Sequence, residues 1–416
     1  MKTFVAILVA ATLAAASPLA AAVDCGGCWG SLNCPVPPAC PAGAILVGSA
    51  GTHPMSVIQN AVTSAPAGAV ICVKSGTYVG NLNFHGKAVT VKSSTPLGAI
   101  LQGGTAGTPV VTFASNEGQA SVLDGFVITG GSAPGGAGVL IVNASPVVKN
   151  SWIKGNTATG ASYPRGGGAA VVGSFAAPSI SCTCFQGNHS DYAGGGLSTG
   201  YFAHPYLNND TFASNTASYG GGYSSAFSGL ANIENSAFLG NSATDGAGLH
   251  IATTFGATLV RRTILQGNRA SGIGGGAWVP AGFATFLNSA FYGNSAGEGG
   301  GAATGFDGVL TVESSIFVHN NTSFPTSAAL TADASPLATT LNNNFNLFFG
   351  NTGGSGDFTN TLGNLGIVTG KDPLLSGCYV LGAGSPALHA GLPDYHFNNS
   401  DGSVNTMGIH GGPITP

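Results

Sequence analysis

An asparagine recurs through the middle of this chain at nearly constant spacing: Asn156, Asn188, Asn215, Asn241, Asn268, Asn294 and Asn320, at intervals of 32, 27, 26, 27, 26 and 26 residues. Three residues before each stands a large apolar side chain: Ile153, Phe185, Phe212, Phe238, Leu265, Phe291 and Phe317. Shortly after each of the first six comes a glycine cluster: Gly166-Gly167-Gly168, 194–196, 220–222, Gly246-Ala247-Gly248, 274–276 and 299–301. A fixed period in this range marks stacked repeats, each too small to bury a core alone.

Stacking the repeats on the large apolar residue exposes their local structure. Five positions earlier the column reads Val148, Ile180, Leu207, Ile233, Val260, Phe286 and Val312, all apolar and so directed inward. The next column, Lys149, Ser181, Asn208, Glu234, Arg261, Leu287 and Glu313, is mostly polar and directed outward. Alternation with period 2 is the mark of a strand. The column after that contains Asn150, Asn209, Asn235 and Asn288, with Cys182, Arg262 and Ser314 in the remaining repeats. Asparagine tolerates left-handed backbone, so this column predicts a tight bend. At an inter-strand spacing of about 4.8 Å its amides are expected to bond along the axis as a ladder. A second strand then carries the Phe, and the glycine cluster opens a third, as in Gly196-Leu197-Ser198-Thr199 and Gly276-Ala277-Trp278-Val279. Three short strands and three turns per repeat predict an all-β parallel β-helix, its coils paired edge to edge around one core. A propeller would need blades of about 40 residues or more.

On these motifs the chain resembles the right-handed parallel β-helix, or pectin-lyase-like, superfamily. Phe-x-x-Asn followed by Gly-Gly-Ala, clearest at Phe291-Tyr292-Gly293-Asn294 with Gly300-Gly301-Ala302, resembles the repeat of polymorphic outer membrane proteins. That likeness covers residues 150–320, and weaker superfamily features run from about 45 to the C-terminus. It implies an extracellular β-helix, adhesive or acting on polysaccharide.

Charged residues are only 6% of the chain, 44% are hydrophobic and 68 are glycine, a composition too apolar for disorder and suited to a solenoid with small-residue turns. The net charge of −4 leaves no basic footprint for nucleic acid. Residues 1–22 read as a secretory signal peptide: Lys2, an apolar run over 4–16, and Ala20-Ala21-Ala22 as the cleavage site. No later segment is long and apolar enough to be expected to span a bilayer. The expected location is secreted or at the cell surface.

Residues 23–44 form a Cys/Pro-rich N-terminal cap, 45–384 the β-helix, and 385–416 a C-terminal cap. Cys25, Cys28, Cys34 and Cys40 are expected to pair as one or two disulfides pinning the N-terminal cap, with a zinc site as the alternative. Cys72, Cys182, Cys184 and Cys378 read as small core residues. Val57, Ile58, Ala61 and Val62 share one face of a predicted helix over 56–64, N-capped by Ser56, that would plug the open end of the solenoid.

A pectate-lyase-like enzyme needs clustered carboxylates for calcium and an Arg or Lys as base. In the superfamily the groove runs beside the glycine-opened strand, whose outward column here is Ala170, Ser198, Ser224, His250, Trp278 and Ala303. It contains no carboxylate. The column before the glycines reads Arg165, Ala193, Tyr219, Asp245, Ile273 and Glu298, which places Asp245 and Glu298 two coils, about 10 Å, apart. No catalytic, cofactor or metal residue is assigned, and calcium has no clear ligand cluster; Asp394, Asp401 and Asn405 are an alternative, weaker set. His250 and Trp278, with Tyr219 nearby, are the candidate contacts for a glycan: an indole for stacking and an imidazole for hydroxyls. Arg261 and Glu234 are expected to form a surface ion pair. The leading expectation is a non-catalytic adhesive, structural or glycan-binding protein, its partner an extracellular polysaccharide or cell-surface glycan. The alternative is a lyase or epimerase acting on uronic-acid glycans. An ice-binding solenoid would need an outward threonine ladder, and no column supplies one.

Overall fold

A computed structural model describes residues 34, 37–160, 165–227, 229–332, 339–376 and 379–412. The signal peptide, Cys25, Cys28 and Cys378 lie outside the described residues. The chain is an all-β parallel β-helix. A 13-stranded sheet carries the Phe-bearing strands, one per coil, a 21-stranded sheet carries the two other expected strand positions, and two-residue strands just after the buried asparagines, a fourth position not expected from the repeat, form sheets of three and four strands. The two positions in the largest sheet merge where the corner between them straightens, in the continuous strands Leu249–Arg261, Ala277–Leu287 and Ala302–Glu313. Thirteen coils rising about 4.8 Å each make a body about 60 Å long.

The period-2 columns fall as expected. Val148, Ile180, Leu207, Ile233, Val260, Phe286 and Val312 are all at most 1% exposed. Phe185, Phe212 and Phe238 pair in register from coil to coil. Their rings stack at 4.6 and 4.7 Å, within 2° of parallel. Offset stacks of this kind add to the burial of each ring.

The bend column is left-handed at every repeat from Asn150 to Ser314, with φ between 45° and 57°. Its amides do not bond to one another, contrary to the ladder expected of Asn150, Asn209, Asn235 and Asn288. Asn150 donates to Asp124, Asn235 to Asn208 and Asn288 to Asn405. Arg262 donates from Nε to Asn235 Oδ1 at 2.9 Å. These side chains leave the bend on the outside, and Cys182, Arg262 and Ser314 interrupt the series. The continuous ladder belongs to the other asparagine column. Asn156, Asn188, Asn215, Asn241, Asn268, Asn294 and Asn320 are fully buried, and each Nδ2 donates to Oδ1 of the next at 2.9–3.0 Å. The series closes on Asn351 at 3.0 Å. From Asn188 to Asn320 each Nδ2 also donates to a strand carbonyl of the previous coil, and each Oδ1 also accepts a backbone N–H, which fills the amide's buried capacity. The glycine cluster makes room for it: a Cβ at Gly196 would lie 2.8 Å from the Phe212 ring and 2.5 Å from the Gly222 carbonyl.

Just past the bend runs a second polar column, Thr183, Asp210, Ser236, Thr263, Ser289 and Ser315. In successive coils its side-chain oxygens accept the backbone N–H of the residue before them in the stack. Its hydroxyls donate back to the carbonyl two residues earlier. Asp210 is the exception, a carboxylate that accepts from Thr183 and Asn208 instead.

The helix Ser56–Ser64 closes the N-terminal end, burying Ile58 and Val62. Ser56 is its first residue, not its cap; Met55 occupies that place without a side-chain bond. Gln59 satisfies the exposed strand edge, accepting from Asn83 N at 2.8 Å and donating to Asn83 O at 2.9 Å. The N-terminal cysteines do not pair within their own segment as far as it is described. Cys40 bonds to Cys72 and Cys34 to Cys182, 148 residues away, and Cys184 is also disulfide-bonded. Cys72 and Cys182 are therefore anchors for a strap along the flank, and Cys72, Cys182 and Cys184 are not free core thiols. Cys72 faces outward between the inward Ile71 and Val73, and Cys182 sits at the outward bend, which is what lets a second segment reach them. The C-terminal segment likewise lies along the flank. Ala387, Met407 and Ile409 pack on the outward Ile264, Ala290, Ile316 and Leu347. Asn405 bonds to Asn288 and Ser314.

Candidate functional site

The outward column of the glycine-opened strands is covered, not bare. Ala170, Ser198, Ser224, His250, Trp278 and Ala303 are between 0% and 9% exposed, yet none belongs to the central core. Two rims fold over them. One is the residue before each glycine cluster with its neighbours. Backbone bonds carry this rim in register from Tyr219 through Asp245 and Ile273 to Glu298. The other is the corner after the strand. Between them lies a cleft of about 230 Å³ lined by Arg165, Tyr192, Tyr219, Ser224, Phe227 and His250.

The cleft is aromatic. Tyr192 and Tyr219 stand 5.2 Å apart, tilted by 54°, and Tyr219 lies 5.2 Å from the His250 ring. The Arg165 guanidinium sits 3.4 Å over the Tyr192 ring. Opposite them Phe227 stacks on Tyr201 at 5.2 Å. Ser224 Oγ is 3.4 Å from His250 Nδ1 on the floor. Burial pushes the His250 pKa down to about 4, so the imidazole is neutral at pH 7 and offers one donor and one acceptor.

The sequence candidates divide here. Tyr219 and His250 meet in one cleft. Trp278 is 4% exposed, with Phe306 edge-on at 6.3 Å, so its indole is part of the floor and no platform for a sugar. Asp245 is spent on structure: Oδ1 accepts the Ile273 N–H at 2.8 Å. Asp394 and Asp401 cap their own turns, and Asn405 is buried. No group of three or more metal-binding side chains occurs among the described residues. Tyr192 and Phe227 were missed because they fall in turns whose length varies between repeats.

On the opposite flank the Arg261–Glu234 ion pair forms at 3.8 Å, and Arg262 reaches the same carboxylate at 3.9 Å. Tyr206 donates to Glu234 at 3.4 Å. Burial lowers the Arg262 pKa, opposed by the Glu234 charge.

No protein-family model matches the chain, and no curated protein matches its sequence. The likeness to polymorphic outer membrane protein repeats therefore has no support beyond the motif. Among solved structures the chain is similar to pectate lyase Pel9A, at 14% identity and TM-score 0.43, over 87% of this chain and 96% of that one. It is similar to the PL6 family alginate lyase AlyGC at 14% identity and TM-score 0.37, over 83% of this chain and 56% of that one. An alginate lyase from Paenibacillus sp. str. FPU-7 aligns at 12% identity and TM-score 0.25, over 77% of this chain and 99% of that one. No helix among the described residues is long and apolar enough to cross a membrane.

Proposed function

We propose that this chain binds a carbohydrate polymer in the cleft of Arg165, Tyr192, Tyr219, Ser224, Phe227 and His250. The observation that carries this reading is the pair of tilted phenol rings facing Phe227 over a polar floor of Ser224 and neutral His250. Aromatic faces pack on the C–H faces of sugar rings, while phenol, hydroxyl and imidazole groups exchange hydrogen bonds with sugar hydroxyls. The disulfides fit an oxidising compartment, where such polymers occur.

A second reading, cleavage of a uronic-acid polymer as the names of the pectate and alginate lyases suggest, is favoured by one feature. Arg165 and the unprotonated His250 stand in the same cleft as two phenols, so groups able to bind a carboxylate and to move a proton are adjacent. A panel of neutral and acidic polysaccharides, scored for binding and for the ultraviolet absorbance of an unsaturated product, tests both. Binding without absorbance that is lost in Tyr219→Ala supports the first reading; an absorbance rise lost in Arg165→Ala supports the second. Binding that survives Tyr192→Ala/Tyr219→Ala unchanged removes the cleft from consideration.

A further inference from the structure

The two ends of the solenoid are finished differently. At the N-terminal end the helix Ser56–Ser64 lies over the first coils, burying Ile58 and Val62, and Gln59 takes up the backbone of Asn83. At the C-terminal end the final coil carries the strands Phe358–Thr359, Leu362–Gly363 and Val368–Thr369. They pair with Leu330–Ala332, Thr340–Asn344 and Leu347–Phe349 of the coil before, and no described residue pairs with their other side. From 351 to 372 no residue is buried. Phe358 and Ile367 pack on the core but stay partly exposed, and Leu362 and Leu365 are 57% and 62% exposed. Beyond the final coil the chain turns back along the flank, where Ala387, Met407 and Ile409 pack on outward residues of earlier coils.

A strand paired on one side offers a row of unpaired N–H and C=O groups on the other, and proteins protect such an edge with lysine, proline, a bulge or a cover. Residues 353–370 contain no lysine, arginine or proline, and their one charge, Asp357, accepts from Asn351 Nδ2. We propose that this end docks a second copy of the chain, C-terminal end to C-terminal end about a two-fold axis. An edge strand of each copy pairs antiparallel with its twin, and the apolar end of one core meets that of the other. Three features select a second copy. The helix closes the opposite end, so the open end meets only another open end and assembly stops at two. The surface is self-complementary, because an edge strand fits an antiparallel copy of itself and Asp357 is the one charge opposing its own copy. The size also fits. Leu347 pairs with Val368, 21 positions on. A closed outline of that length, at about 3.3 Å per residue and with its side chains, covers about 800 Å², what each partner gives to a standard interface.

The proposal is independent of the glycan reading, but it bears on the cleft. His250 stands four coils from the end, through Trp278, Ala303, Thr331 and Thr359. The dimer therefore sets two clefts about 40 Å apart along one axis.

Sedimentation velocity and small-angle scattering on the parent, on Leu362→Lys/Leu365→Lys and on Leu46→Lys at the other end test this. Both leucines of the double variant are exposed, so it is expected to keep the parent's circular dichroism spectrum. The parent is expected to be a dimer about 120 Å long, twice one body. The double variant is expected to be a monomer about 60 Å long, its dimer Kd raised at least about tenfold. The parent Tm is expected to rise with protein concentration and that of the double variant to stay constant. Leu46→Lys is expected to remain a dimer. A parent that stays monomeric at about 100 μM, a dimer no longer than one body, or growth beyond two copies would overturn the proposal. So would a dimer that survives in the double variant or is broken by Leu46→Lys. Should the double variant fail to fold, the mass and length of the parent decide alone.

Discussion

Replacing Asn241 by alanine isolates the contribution of the buried amide ladder. Asn241 is fully buried. Its Oδ1 accepts the backbone N–H and the Nδ2 of Asn215, both at 3.0 Å. Its Nδ2 donates to Phe212 O at 2.9 Å and to Asn268 Oδ1 at 3.0 Å. Alanine strands the Asn215 N–H, one Asn215 Nδ2 proton and the Phe212 carbonyl, while Asn268 Oδ1 keeps the Asn241 backbone N–H. Three stranded buried groups at about 1–2 kcal/mol each put the loss at about 3–6 kcal/mol, before any cost of the cavity. The matched control is Asn232→Ala nine residues earlier: a half-buried amide at a strand start, expected to change stability by less than about 0.5 kcal/mol. Denaturant unfolding followed by circular dichroism gives the difference. Hydrogen exchange adds its location, because a solenoid is stabilised by neighbouring coils and the loss is expected between residues 212 and 268 first. A difference from the control below about 1 kcal/mol, or protection lost evenly along the chain, would refute the ladder as a principal determinant of stability.

Three further outcomes are expected. Asp210→Ser restores the hydroxyl of its column and removes a carboxyl whose pKa burial pushes well up. A raised folded pKa means stability is present at low pH and lost as pH rises through it, so the variant gains roughly 0.5–2 kcal/mol at pH 7 and less in acid, read by thermal melts. His250 has the opposite sign: its folded pKa of about 4 lies below the unfolded 6.5, so it gains its proton on unfolding. Stability is full above pH 6.5 and declines by up to about 3 kcal/mol as pH falls to 4, and His250→Gln flattens that slope. Cys34→Ser/Cys182→Ser opens a loop of 148 residues, worth at most about 5 kcal/mol by chain entropy, and exposes 37–44 to limited proteolysis; an unchanged Tm and cleavage pattern would count against the strap.

The solenoid was legible because alternation in Val148-Lys149, Ile233-Glu234 and their equivalents survives any average over repeats. The ladder was placed in the wrong column for a chemical reason. Asn150 and Asn156 recur with the same period, and nothing in an asparagine says whether its bend turns it out or in. The burial of the second column follows from the glycines that make room for it, a relation between coils and not within one. Cys34 reads from the sequence as pairing within its own segment and Cys182 as a core thiol, because a contact across 148 residues leaves no local mark. Trp278 is covered by Phe306, which reaches it from the strand of the next coil, a relation between coils that the repeat alone does not show.

The buried amides all point one way. Every Nδ2 from Asn156 to Asn320 donates toward the C-terminal end, so their dipoles add head to tail, as peptide dipoles do in a helix. Such a stack behaves as a wire of aligned dipoles with its positive end at Asn351. There the last Nδ2 donates to Asp357 Oδ1 at 3.0 Å, a carboxylate set at the one terminus where negative charge is favoured. The asparagine repeat thereby gives the solenoid an electrical polarity along its axis, with a counter-charge built in at its end.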